Sequence, residues 1–129
     1  MKKLGILNRE LAGIFARLGH TDQIVIADCG LPIPDGVVCI DLAYKLGEPD
    51  FITILEVVLE DLKVEKAIIA EEIKQANRPV EEAILNNLNQ IDYVSHEQFK
   101  QMTKEAKVII RTGETTPYAN IILQSGVIF

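Results

Sequence analysis

Six short apolar runs, within "QIVIAD", "VVCID", "VEKAIIAEEI", "IDYVS", "KVIIRT" and "NIILQSGVIF", recur along the chain, and most are separated by stretches with helical spacing. No other feature constrains the fold as strongly. Runs this short and this rich in Val and Ile read as strands buried on both faces, and a helix between two of them returns the chain to the same edge, so that neighbouring strands run parallel. The expected fold is therefore a three-layer α/β/α sandwich around a mixed, mostly parallel sheet, formed by residues 1–129 as a single domain. The last two strands, joined by "GETTPYA" without a helix, are expected to pair antiparallel.

The intervening segments carry their own start and stop signals. Leu11, Ile14, Phe15 and Leu18 share one helical face, with Asn8 as N-cap and Gly19 as stop, which predicts a helix over 9–18 and places His20 just past its C-terminus. "FITILEVVLEDL" after Pro49 has helical spacing, and "NRPVEEAILNNLNQ" reads as a helix capped by Asn77 with Pro79 in its first turn. Ser95 and Gln98 form a capping-box pair for a helix through about residue 105, which puts His96 in its first turn. "CGLPIPDG" is turn, and Glu71 and Glu72 read as the end of a strand, on opposite faces.

Charge and composition narrow the chemistry. A net charge of −6 supplies no clustered cations for a phosphate backbone, so nucleic acid is excluded as a partner. No apolar run reaches membrane-spanning length, and Asn8, Arg9 and Glu10 interrupt "MKKLGILNRELAG" before a signal-like core forms, so a cytoplasmic protein without a membrane is expected. Cys29 and Cys39 lack metal-ligand spacing, and a reduced, cytosolic chain accounts for them most simply. Neither a glycine-rich phosphate loop nor a metal-ligand cluster is present, which leaves chemistry carried by side chains, with no cofactor and no metal.

Ligands of open α/β sheets collect outside the carboxyl ends of the strands, so Asp28, Ser95–His96 and the "TTPYAN" loop are candidates to converge. His20 is a candidate acid/base, because imidazole titrates near neutrality, and a solvated loop histidine is the simpler reading on spacing alone. His96 at a helix start would be a neutral ring that gives and takes hydrogen bonds, or an ordinary first-turn surface residue. Asp28 could orient a histidine or bind a hydroxyl, or only cap the turn before Gly30. Tyr118 and Asn120 pair a phenol with a carboxamide, suited to sugar hydroxyls or to loop capping. Cys29 reads as a small buried hydrophobe.

"KKLGILN", "RLGHTDQIVIADCGLPIP", "AIIAEEI", "SHEQFK" and "RTGETTPYANIIL" together resemble, nearly end to end, the ribose branch of the ribose pyranase and fucose mutarotase family. The resemblance implies a cofactor-free enzyme that interconverts β-D-ribopyranose and β-D-ribofuranose and supplies furanose for phosphorylation in ribose catabolism. It also implies a ring-shaped homo-oligomer, a decamer of two pentamers, with sites at subunit boundaries. By position, His20 corresponds to the acid/base and Asp28 to a substrate contact placed to hold His20. His96, Tyr118, Ala119 through its backbone, and Asn120 complete the implied pocket. A non-catalytic ribose-binding accessory of a transporter and a fucose-directed sister enzyme are the competing readings.

Overall fold

The computed structural model describes residues 1–129. Six strands form one sheet: β1 (Gln23–Ala27), β2 (Cys39–Asp41), β3 (Val64–Ala70), β4 (Ile91–Val94), β5 (Val108–Arg111) and β6 (Ile121–Ser125), in the order β2-β5-β1-β6-β3-β4. β5 runs parallel to β1 and β2, and β3 runs parallel to β4. β6 is antiparallel to both of its neighbours, β1 and β3. The sheet is thus mixed and mostly parallel, as the alternation of runs predicts.

One detail differs. The last two strands do not pair with each other, because β1 lies between them. The nine residues from Thr112 to Asn120 carry the chain past the end of β1, and without a helical crossover β6 enters reversed. Its Ile121, Ile122 and Leu123 are all buried, which a central position satisfies and an edge position would not.

Side chains alternate across the sheet with the two-residue period of a pleated strand. Ile24, Ile26, Ile69, Val108, Ile110, Ile121 and Leu123 face one core, while Val25, Ala27, Ile68, Ile109 and Ile122 face the other. The first core is covered by α1 (Arg9–Phe15), α2 (Phe51–Asp61) and α4 (Arg78–Asn87), through Leu11, Phe15, Phe51, Leu55, Val58, Val80 and Ile84. The second is covered by α5 (His96–Met102) through Phe99 and by the 28–38 segment through Leu31.

Capping chemistry sets the helix starts. Asn8 accepts from the Leu11 N–H at 3.0 Å, Asp50 from Thr53 at 2.9 Å and Ser95 from Gln98 at 3.1 Å. Helix ends are less faithful to the periodicity. α1 stops at Phe15 and runs into turns, so Leu18 packs on the core from outside the helix, and α5 ends at Met102 with a 3₁₀ turn over 103–105. β3 ends at Ala70, and Glu72 opens a short helix, α3 (Ile73–Ala76). Asn77 stands at the start of α4 without capping it, since its carboxamide is committed elsewhere.

Candidate active site

The carboxyl ends of β1, β3, β4 and β5 and the start of β6 meet along one edge of the sheet. Asp28 follows β1 there, and Asn120 precedes β6. Asn120 is buried and grips Asp28 twice: its Oδ1 accepts the Asp28 backbone N–H at 2.8 Å, and its Nδ2 donates to Asp28 Oδ2 at 2.9 Å. Asp28 Oδ1 accepts the Gly30 N–H at 2.9 Å. A carboxylate oxygen has a second lone pair, so each still has room for a hydroxyl donor.

His96 begins α5, and both oxygens of Glu72 accept its backbone N–H at 3.0 Å. Its ring meets Tyr118 edge to face at 5.0 Å, and its Nδ1 is buried without a partner. Nε2 is then the nitrogen left for a ligand. Tyr118 has φ +57°, a left-handed conformation uncommon for a side chain of this size, and the turn is closed by the Asn120 N–H donating to the Tyr118 carbonyl at 2.9 Å. Ala119 between them is fully buried.

A second layer of polar groups holds this loop. Glu114 is buried, accepts the Phe51 N–H at 3.1 Å through Oε1, and accepts both the N–H and the hydroxyl of Thr116 through Oε2. Asn77 Nδ2 donates to Thr116 Oγ1 and to the Pro117 carbonyl, each at 2.8 Å. Gly113 passes so close to Glu48 that a Cβ would lie 2.4 Å from its carbonyl oxygen, so only glycine fits there.

His20 does not join this cluster within one chain. It precedes β1, and the five strand residues between it and Asp28 set the two ends roughly 16 Å apart at 3.3 Å per residue. Within one chain, Asp28 therefore does not hold His20. The imidazole meets Glu65 of β3 instead, Nε2 to Oε2 at 2.9 Å. Gln124 Nε2 donates to Glu65 Oε1 at 2.8 Å, and these two hydrogen bonds, Gln124 first and His20 second, hold the Glu65 carboxyl below its ordinary range. Because α1 ends at Phe15, the partner of His20 is this carboxylate rather than a helix terminus.

Glu65, Glu72, Asn77 and Glu114 were invisible as supports in the sequence. Each acts on a residue distant in the chain; the sequence marked Glu72 only as a strand end and Asn77 only as a helix cap. Both cysteines are free. Cys29 is half-buried rather than buried, with its carbonyl accepting from Arg111 Nε at 3.2 Å, and burial followed by Asp41 pushes the Cys39 thiol up, away from thiolate chemistry. The largest cavity, about 550 Å³, lies between α1 and the edge strand β2, where Ile14, Leu18, Val38 and Ile40 make it mostly apolar. Sugar recognition needs convergent donors and acceptors, so chemistry and not size marks the candidate site. No helix is long and apolar enough to cross a membrane.

The end of an open α/β sheet beyond the carboxyl ends of its strands is where proteins of this fold class collect small ligands. The chain belongs to the RbsD / FucU transport protein family, which it matches over residues 1–128. It is 60% identical to the D-ribose pyranase of Bacillus cytotoxicus, over 100% of both chains. The structure of Bacillus subtilis RbsD complexed with D-ribose is 56% identical to it, with a TM-score of 0.98 over 100% of both chains. The fucose mutarotase of Streptococcus pneumoniae in complex with L-fucose, 24% identical with a TM-score of 0.78 over 95% of each chain, shares the fold.

Proposed function

We propose that this protein is an intramolecular isomerase that interconverts the pyranose and furanose forms of D-ribose, with side chains as the only proton carriers. Full-length likeness carries the reading: a D-ribose pyranase is 60% identical from end to end, and a relative solved with D-ribose is 56% identical. The likeness to a fucose mutarotase reaches the fold alone, which favours ribose over fucose.

The reaction needs little more than placed acid and base groups. A base takes the proton of the anomeric hydroxyl as the bond between C1 and the ring oxygen breaks, and that oxygen is protonated. After rotation of the open chain, the 4-hydroxyl gives up its proton and closes on the aldehyde carbon, whose oxygen is reprotonated. His20 gives and takes these protons. Asp28 accepts sugar hydroxyls, His96 and Tyr118 bind others through Nε2 and the phenol, and Ala119 and Asn120 complete the pocket, Ala119 through its backbone. Holding the hydroxyls in a reactive pose is the contribution of the second group.

Since His20 and Asp28 stand at opposite ends of β1, the reading places the site between copies, His20 of one copy facing the Asp28 cluster of the next. Two pentameric rings of the single 1–129 domain are the proposed assembly. A cytoplasmic place in ribose catabolism, supplying furanose for phosphorylation, accords with two free thiols.

Saturation-transfer NMR on D-ribose at equilibrium tests the function. Catalytic amounts of protein are expected to speed exchange between pyranose and furanose anomeric signals, and His20→Ala to lower that acceleration by about 10²–10⁴-fold in a folded, assembled protein. Unchanged exchange with ribose still bound would instead make the protein a binding accessory of a transporter.

A further inference from the structure

The His20 end of the sheet is built as deliberately as the Asp28 end. A row of polar side chains crosses three adjacent strands: Gln23 of β1 donates to Gln124 Oε1 at 3.3 Å, Gln124 of β6 donates to Glu65 Oε1 at 2.8 Å, and Glu65 Oε2 of β3 meets His20 Nε2 at 2.9 Å. Gln23 and Gln124 are direct partners in the register. The loop that carries His20 is pinned to the same place. Thr21 donates to the Ser125 carbonyl at 2.9 Å, Ser125 donates back to the Asp22 carbonyl at 2.8 Å, and Asp22 Oδ2 accepts the Gly19 N–H at 2.8 Å. Thr21 has φ +72°, a true outlier for a β-branched residue, and it is tolerated here directly beside the imidazole of His20.

We infer that Glu65 is the positioning residue of His20, fixing the imidazole with its proton on Nε2 so that Nδ1 is the nitrogen that exchanges protons with the sugar. The inference rests on the acid/base reading of His20. A carboxylate only accepts hydrogen bonds, so the ring nitrogen that faces it carries the proton, and the other nitrogen of the neutral ring is a free lone pair. When Nδ1 takes the anomeric proton, the imidazolium that forms already lies against a fixed anion, and the ring need not turn to give the proton to the ring oxygen. Gln124 occupies the other carboxylate oxygen, which stops Glu65 from swinging away. An isolated exposed ion pair would contribute little to stability, so this row is better explained by orientation than by folding.

The test compares Glu65→Gln, Glu65→Asp, His20→Ala and the Glu65→Gln/His20→Ala double variant as full chains. Ribose exchange is followed by saturation transfer, and the His20 ring by its nitrogen-15 resonances. Glu65→Gln is expected to lower kcat at least about tenfold with KM little changed, and to shift the His20 ring from the Nε2-protonated form toward a mixture. Glu65→Asp recovers part of the rate, and the double variant is no slower than His20→Ala, because both changes act through one group. A Glu65→Gln protein with unaltered kcat, or with His20 still wholly Nε2-protonated, overturns the inference. Full activity in His20→Ala overturns the underlying acid/base reading as well, so that result is separable from failure of Glu65 alone. If Glu65→Gln does not fold, Glu65→Asp decides by the same two readouts.

Discussion

The two ends of β1 solve opposite problems. At its carboxyl end, Asp28, Tyr118 and Asn120 sit in a packed setting, with Asn120 and Glu114 buried and Glu72 and Asn77 bracing from below. At its amino end, His20 is 52% exposed in its side chain and rests on a row of three polar residues on the open edge of the sheet. The first arrangement suits reading a fixed pattern of hydroxyls, and the second suits a group that meets its substrate only when another surface arrives. The chain's two non-glycine residues with positive φ, Thr21 and Tyr118, stand one at each end. Backbone strain is thus spent on both halves of the proposed site, while burial protects only one.

The sharpest way to break this comparison is to separate the halves genetically. His20→Ala and Asp28→Asn chains, each expected to be inactive alone, are expected to regain about a quarter of wild-type exchange when refolded together in equal amounts, because a head-to-tail boundary unites two intact halves at one site in four. Mixtures that co-assemble and stay inactive would end the between-copies reading. The measurement is ribose exchange on the co-assembled protein.

A smaller effect is expected from Asn120→Ala. It strips Asp28 of two hydrogen bonds and leaves the Asp28 backbone N–H without its partner, which costs about 1–3 kcal/mol of stability by chemical denaturation. Ribose binding should weaken at the same time, with the His20 ring resonances unmoved. A shift at His20 would mean that the two ends are mechanically coupled.

The smallest effect concerns pH. Tyr93 of β4 donates to the buried Glu81 of α4 at 2.7 Å, and burial, then this hydrogen bond, push its phenol up to about 12 from an ordinary value of 10. Because the folded value lies above the unfolded one, this contribution is complete below pH 10 and is lost as pH rises through about 12. The alkaline loss of Tm should therefore be reduced in Tyr93→Phe, and a wild-type slope in that variant would mean that the bond from Tyr93 to Glu81 does not set it.

Much of the architecture was legible because it is local. β-branched runs marked every strand, and Asn8, Ser95 and Pro79 marked helix starts through bonds or ring geometry spanning a few residues. Helix ends were less so: the apolar spacing through Leu18 continues past the helix, because a turn can seat a leucine on the core as well as a helix does. Asp28, His96, Tyr118 and Asn120 could be named as candidates, since strand ends and loops are where ligands collect, and the structure brings them to one edge.

What the sequence determined by itself was the period of burial, and through it the strands, the helices and the edge at which ligand groups gather. Only the tertiary structure decided partnership. Glu65 lies 45 residues from His20, Asn120 lies 92 from Asp28, and Glu72 lies 24 from His96. No local preference encodes such pairs, because they follow from strand order, and the insertion of β6 between β1 and β3 is what carries Gln124 and Glu65 alongside His20 and leaves Asp28 to Asn120. A side chain's chemistry is written in its residue type, but the group it acts on is fixed by which strand the sheet places beside it.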